Sequence, residues 1–293
     1  MTVSERKIGF IGAGEMGAAL ARQCAQAGAR TFTVSRGRSD ETRARIAEAG
    51  MVGVGDLEEL VETSDVLFSV LPPQVAEPEA AAIADIAKDR RDGLVFVEAN
   101  AISPERKKRI AAAFGQTGTV FVDAGIIGGP PTGASRPRFY VSGPRVEALD
   151  AFDGCGYDLV RLGADIGQAA AMKMVYAAMT KGSNALLTAG YLAADQHQLL
   201  DVFVGELESS QPALFRRAEA NIARLPADAG RWVFEMQEIA CTLRSVGLPG
   251  GFHDGAAEIM ALLAQSAFGG ETRRTRDASR GAVETIRAVA KDL

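Results

Sequence analysis

The apolar run Lys7-Ile8-Gly9-Phe10-Ile11 breaks directly into Gly12-Ala13-Gly14-Glu15-Met16-Gly17, and an alanine-rich segment of helical spacing follows from Ala18. A G-x-G-x-x-G pattern between a strand and a helix restricts the fold more than any other feature of this chain, because each glycine answers a separate steric demand. The first permits a tight turn, the second lets the backbone approach a pyrophosphate, and the third lets helix and strand pack closely. The helix N-terminus then offers N–H donors and partial positive charge to phosphates. Taken alone the pattern is weak, since glycine turns without a ligand share it. Its place at the first strand of a βαβ unit makes Gly12, Gly14, Glu15, Met16 and Gly17 candidates for holding a dinucleotide.

That unit repeats. Strands are expected at Ile8 to Ile11, Thr31 to Ser35, Val66 to Val70, Leu94 to Val97 and Val120 to Val122, mostly continuous apolar runs as a parallel sheet covered on both faces requires. Helices are expected at Ala18 to Ala27, Asp40 to Ala49 and Pro104 to Phe114, the last opened by Ser103 at the cap and Pro104 in the first turn. Phe139 to Ser142 and Asp158 to Leu162 read as two further strands. After Gly163 β-rich runs largely stop, and Ala169 to Ala194 reads as one long helix. Helical spacing continues through Val202 to Ser209, Ala213 to Ala223, Trp232 to Val246, Ala256 to Ser266 and Val283 to Lys291, with a break at 247 to 251. The expected architecture is an α/β Rossmann domain with a doubly wound, mostly parallel sheet over residues 1–163. An all-α domain over 164–293 follows, joined by a long interdomain helix. A chain of 293 residues is long enough for two such cores.

A formal net charge of -5 argues against a nucleic-acid partner, which needs a strong positive field. The basic runs Lys88 to Arg91, Arg106 to Arg109 and Arg273 to Arg276 read as solvated faces. Cys24, Cys155 and Cys241 have neither metal nor disulfide spacing and read as buried free thiols. His197 and His253 lie outside any triad or metal pattern and read as surface or helix-end residues. No metal site is expected. No apolar segment has the length of a signal region or a membrane span, so the expectation is a cytoplasmic protein without a membrane partner.

The end of the second strand bears on the choice of cofactor. An acidic residue there would bind the ribose hydroxyls of NAD, but the chain reads Val34-Ser35-Arg36-Gly37-Arg38-Ser39, with no carboxylate before Asp40. A guanidinium suits a phosphate dianion through paired charge-assisted bonds, so Arg36, helped by Ser35 and by Arg38 or Ser39, is expected to hold the 2′-phosphate of NADP. The competing reading is an exposed loop arginine.

The opening Gly9 to Gly17 resembles the signature of the 6-phosphogluconate and 3-hydroxyisobutyrate dehydrogenases, the β-hydroxyacid dehydrogenase superfamily. The likeness covers nearly the whole chain. Leu71-Pro72-Pro73 is similar to the family's loop along the cofactor, which implies Leu71 and Pro72 as cofactor contacts, and Asn100 falls where the family places a small polar residue near the nicotinamide. Asp123 to Gly129 resembles the substrate-binding segment, implying that Gly128 and Gly129 offer amides to a substrate carboxylate. The family's serine is replaced by Ile127, making the pocket more apolar. Gly167-Gln168-Ala169-Ala170-Ala171-Met172-Lys173 has the spacing of the interdomain helix, which implies Lys173 as the catalytic lysine. The usual asparagine one turn later is replaced by Tyr176 or Ala177. At about 100° per residue Lys173, Thr180 and Asn184 share a face with Tyr176 beside it, so Tyr176 and Thr180 are substrate-side candidates, and Lys181 is a second candidate for catalysis. The phrase Lys173 to Gly182 with Trp232 to Ile239 is most similar to a poorly characterised branch with its own C-terminal domain. Glu235 to Glu238 stands where the family has a later Lys-Asp pair, which leaves the substrate open.

The resemblance implies hydride transfer between nicotinamide and a hydroxy-acid or oxo substrate, in a homodimer. A lysine serves as general acid/base at neutral pH when burial disfavours its charge. Two alternatives stay open. An imine reductase shares the architecture but fits a lysine at 173 less well, and substrate profiling separates the two. A non-catalytic NADP-binding protein is the other, since a Rossmann fold alone does not establish catalysis.

Overall fold

The computed structural model describes residues 2–90 and 93–293, with the backbone alone at 292. The first unit ends at Met174. Its strands are β1 (Lys7–Ile11), β2 (Arg30–Val34), β3 (Val52–Val54), β4 (Val66–Ser69), β5 (Val95–Glu98), β6 (Val120–Ile127), β7 (Arg138–Ser142) and β8 (Asp158–Gly163). They form one sheet in the order β3-β2-β1-β4-β5-β6-β7-β8. Every pairing is parallel except β6 with β7. The crossovers are α1 (Glu15–Gln26), α2 (Asp40–Glu48), α3 (Leu57–Thr63), α4 (Pro73–Ala87) and α5 (Pro104–Ala113). The short β3 and the helices α3 and α4 were not anticipated from sequence. Val52-Gly53-Val54 is too short to show a period, and the proline Pro78 inside α4 interrupts the helical pattern.

Successive strand residues point to opposite faces, and the apolar ones divide accordingly. Phe10, Phe68, Val97 and Val122 join one core cluster, while Ile11, Leu67, Phe96 and Phe121 join the other. Phe10 and Phe68 stack at 5.3 Å across neighbouring strands, and Phe96 stacks on Phe114 at 4.6 Å on the opposite face. Burial on both sides explains why the runs read as unbroken apolar stretches.

The strand β6 is longer than Val120 to Val122. It continues to Ile127 because its partner β7 turns back antiparallel and pairs Asp123 with Ser142 through to Ile127 with Arg138. This extension carries polar chemistry into the interior. Lys107 on α5 is fully buried, with Nζ 3.6 Å from Glu98 Oε1 and 3.3 Å from Asp123 Oδ1. It donates to the carbonyls of Glu98 and Ala124 as well. The Arg106 to Arg109 run is therefore not a solvated face throughout. Periodicity places Lys107 on the side of α5 that meets the sheet, where two carboxylates await it. Of the run Lys88 to Arg91, Lys88 is exposed, Arg90 donates to the carbonyls of Val61 and Ser64, and residue 91 lies outside the described residues.

The long helix α6 (Gln168–Gln196) begins in the first unit. Its first turn is held by the sheet: Asp123 Oδ2 accepts from Gly167 N at 2.9 Å and Ala170 N at 3.2 Å, and Ser142 Oγ accepts from Ala169 N at 3.0 Å. These are the amides a helix leaves without intrahelical partners, and an ionised carboxylate suits them best. The division between the units falls after Met174, inside α6, and not at the 163/164 boundary read from sequence.

The second unit, Val175–Leu293, is helical: the remainder of α6, then α7 (Leu200–Ser210), α8 (Pro212–Asn221), α9 (Pro226–Ser245), α10 (Gly251–Gln265) and α11 (Ala282–Val289). Tyr191, Met236, Met260, Leu263 and Ile286 are buried in it. Arg280 is paired with Glu271 and lies 3.6 Å from the Phe268 ring centroid. His253 is buried in the first turn of α10, with Nε2 3.3 Å from the Ala178 carbonyl, so it is not a surface residue. The cysteines also differ from expectation, since Cys24 alone is fully buried while Cys155 is half-buried and Cys241 exposed. Among the described residues, no helix is long and apolar enough to cross a membrane.

Two outcomes follow from this packing. A Cβ at Gly125 would stand 2.5 Å from Ala169 O and 2.9 Å from Lys173 Cβ. Gly125→Ala therefore forces β6 and α6 apart and lowers stability by about 1–3 kcal/mol in denaturant unfolding, and an unchanged midpoint contradicts the packing described. Burial holds the Glu98 carboxyl above the usual glutamate range despite Lys107. A carboxyl raised in the folded state contributes stability that is fully present below the unfolded value and is lost as pH climbs through the folded one. Glu98→Gln keeps an acceptor for Asn100 N and abolishes that loss. Its thermal midpoint should gain on the parent's progressively from about pH 4.3 upward, and a gap independent of pH is the result that sinks the assignment.

Candidate active site

In an open α/β sheet the crevice for a ligand lies beyond the C-terminal ends of the strands, where the strand order reverses. Here that point is between β1 and β4. The loop after β1 carries the glycines. Gly12 has φ +95°, and a Cβ on it would stand 2.3 Å from Val70 O and 3.1 Å from Leu71 Cδ2, so the turn needs glycine both for its conformation and for its closeness to the β4 loop. Gly14 caps α1 and has open space where a side chain would be. A Cβ at Gly17 would stand 2.0 Å from Gly12 O, which keeps the helix tight against the turn. Glu15 opens α1 and is exposed, with half-buried Met16 beside it. An open glycine at the helix start, with its neighbours closed by contacts, is the cradle a pyrophosphate requires.

The second loop, Leu71 and Pro72, leads from β4 into α4, with Pro72 exposed at its cap. Asn100, after β5, is nearly buried and supports this loop. Its Oδ1 accepts from Leu71 N, its Nδ2 donates to Ser69 Oγ at 2.8 Å, and its own N donates to Glu98 Oε1 at 2.8 Å. Leu71 and Asn100 thus belong to one hydrogen-bonded unit beside the glycine turn.

At the end of β2, Arg36 is exposed in a tight turn with Gly37 at φ +74°. Ser35 N donates to Val54 O at 3.1 Å, and Arg38 Nε donates back to Val34 O at 3.4 Å. Arg45, which sequence reasoning did not single out, extends from α2 to donate to Ala13 O at 3.4 Å, inside the glycine turn, and pairs with Glu41. Its spacing from the turn in sequence gave no sign of this reach.

Beyond β6, Gly128 and Gly129 are exposed, and Gly128 has φ +126°. Lys173 is half-buried one turn into α6, and the missing side chain of Gly125 is what admits its Cβ against β6, three residues ahead of Gly128. The ends of β1, β4, β5 and β6 therefore carry the glycine turn, the Leu71 loop, Asn100 and the Gly128-Gly129 pair on one edge of the sheet, with Lys173 seated on the last of these strands.

The remaining candidates lie in the second unit. Tyr176 is 43% exposed. Thr180 Oγ1 donates to Tyr176 O at 3.1 Å. Thr180 O and Asn184 Oδ1 both accept from Arg217. Lys181 is turned to α9, where it pairs with buried Glu235 and lies 4.7 Å from the Trp232 ring centroid. Burial lowers its pKa even against that carboxylate. Among the described residues no group of three or more His, Cys, Asp or Glu side chains is placed to hold a metal ion.

Sequence reasoning also missed Glu98, Lys107 and Ser142. A signal was present: a carboxylate follows directly on each of two apolar strand runs, at Glu98 and Asp123. Those two residues are register partners on β5 and β6. Two adjacent carboxylates in a buried sheet demand a cation, and Lys107 supplies it.

Comparison with known proteins agrees with this fold. The NAD binding domain of 6-phosphogluconate dehydrogenase matches residues 7–153, and a domain of unknown function (DUF1932) matches residues 194–263. The chain is 27% identical over 209 residues to an uncharacterised 28.5 kDa protein of Methanothermus fervidus, covering 71% of this chain and 79% of that one. It is 30% identical over 152 residues to the mitochondrial 3-hydroxyisobutyrate dehydrogenase of Drosophila melanogaster, a match spanning 48% of this chain and 43% of the relative. The structure of a conserved hypothetical protein from Sinorhizobium meliloti 1021 superposes with a TM-score of 0.69 at 26% identity, covering 98% of this chain and 97% of that one. The chain belongs to the family built on the NAD binding domain of 6-phosphogluconate dehydrogenase, within the β-hydroxyacid dehydrogenase superfamily, and its C-terminal part carries the DUF1932 domain.

Proposed function

We propose that this protein is an NADP-dependent oxidoreductase that transfers hydride between the nicotinamide and a hydroxy-acid or oxo substrate, with Lys173 as general acid/base. The observation that carries the reading is the seat of Lys173 on β6 at Gly125, close in sequence to the exposed Gly128-Gly129 amides and on the sheet edge that bears the glycine turn. A bound nicotinamide supplies the hydride acceptor or donor and no proton-transfer group, so the protein must provide one.

In this reading Gly12, Gly14 and Gly17 shape the turn, while Glu15 and Met16 begin the helix whose N–H groups meet the pyrophosphate. Arg36, with Ser35 and Arg38, holds the 2′-phosphate, supported by the exposure of Arg36 and the absence of a carboxylate at the end of β2. Leu71 and Pro72 line the nucleotide, with Asn100 fixing their loop. Gly128 and Gly129 donate to the substrate carboxylate, and Tyr176 and Thr180, farther along α6, contact the substrate body. Lys173 takes the hydroxyl proton during oxidation and returns it to the carbonyl oxygen during reduction. The reading extends to a homodimer in the cytoplasm that acts on a small molecule.

A panel of hydroxy acids, ketones and imines with NADP(H) and NAD(H) identifies the substrate class. Lys173→Ala should lower turnover by about 10²–10⁴-fold while NADPH still binds, and turnover that survives this change removes the lysine from the mechanism. Arg36→Asp should shift preference from NADP toward NAD, whereas an unaltered ratio rules out Arg36 as the phosphate anchor.

A further inference from the structure

We propose that one buried polar chain, running from the Leu71 amide through Asn100, Glu98, Lys107 and Asp123 to the first turn of α6, fixes Lys173 relative to the nucleotide loop, making Glu98, Lys107, Asp123 and Ser142 positioning residues for hydride transfer. This rests on the dehydrogenase reading above. Each link is a direct contact within the first unit. Leu71 N donates to Asn100 Oδ1, and Asn100 N donates to Glu98 Oε1 at 2.8 Å. Lys107 Nζ stands between Glu98 and Asp123 at 3.6 and 3.3 Å. Asp123 Oδ2 then accepts from Gly167 N, Ala170 N and Ser142 Oγ, and Ser142 Oγ in turn accepts from Ala169 N.

Stability alone gives no reason for this arrangement. Taking three ionisable side chains out of water is expensive, and apolar residues of similar volume commonly serve a core equally well. What apolar contacts lack is direction. Two acceptors on register-paired strands, Asp123 on β6 and Ser142 on β7, hold three successive parts of the α6 entry and so fix the helix against rotation about its own axis. Lys173 lies one turn on, where such a rotation swings its amine most directly. The chain's other end is the Leu71 loop, which Gly12 touches. Both ends of the network are thus elements of the candidate site, and close packing between them passes a displacement from one to the other. Misplacement of a reacting group by about 1 Å costs roughly 10²-fold in rate.

The test uses the full chain with Asp123→Asn, which preserves shape, and Ser142→Ala, a milder change that keeps the proposal testable where the first fails to fold. Turnover is measured on the substrate found by screening, NADPH affinity by fluorescence titration, and amide exchange by mass spectrometry. The expected result is a fall in kcat of about 10-fold for Ser142→Ala and roughly 10²-fold for Asp123→Asn, with NADPH affinity within about fivefold of the parent. Exchange should quicken at the Val70 and Leu71 amides as well as in 167–172, although neither substituted residue touches that loop. Parental kcat in both variants, while Lys173→Ala abolishes turnover, overturns the positioning role and leaves the dehydrogenase reading intact. Where Lys173→Ala leaves turnover intact, that reading fails and the positioning role in hydride transfer fails with it, and exchange then tells only of the structural link: quickening confined to 167–172 breaks the link between the two segments, and joint quickening keeps it.

Discussion

The entry to α6 is secured by a carboxylate, and most of what the first unit offers chemically depends on that bond. Asp123 lies inside a sheet covered on both faces, where an unpaired charge is untenable. It is tolerated because its two oxygens meet different needs: one accepts the orphan amides at the start of α6, the other faces the Lys107 ammonium. Each partner is itself constrained. Gly167 and Ala170 stand at the helix start, where amides lack intrahelical acceptors, and Lys107 is fully buried. A single residue thereby joins β6, β7, α5 and α6 around one point, next to the glycine that lets Lys173 approach the sheet.

Glycines do the complementary work, by absence of volume. At Gly12, Gly17 and Gly125 the nearest atom to an added Cβ is a backbone oxygen closer than 3.0 Å, so the neighbouring element cannot yield by rotating a side chain. Gly14 differs in having nothing within 4 Å of the place a side chain would take. The contrast separates the packing glycines Gly12 and Gly17 from the open Gly14 within one short motif.

The type of the strong periodic segments was readable from the residues: the Rossmann alternation, the long helix after Gly167 and the helical remainder all rest on local spacing. The glycine turn was readable for the same reason, as its steric demands fall on neighbours in sequence. Less was readable where burial decides. Lys107 sits in a basic run that looks solvated, Cys241 is exposed where a buried thiol was expected, and His253, at a helix end as expected, is buried because α6 packs over it. The bonds of the Asn100 side chain to Leu71 and Ser69 were likewise not readable, since they join the ends of two different strands.

The sequence by itself determined the main alternation of strands and helices, β3, α3 and α4 apart, the tight glycine turn after β1 and the lysine placed one turn inside a helix. These are fixed by the conformations of adjacent residues and by the period of their side chains. Tertiary structure alone decided which charges are buried and which amides they meet. Glu98, Lys107, Asp123 and Ser142 come from four elements, and whether a carboxylate is a surface group or the cap of a distant helix depends on what the folded chain lays over it.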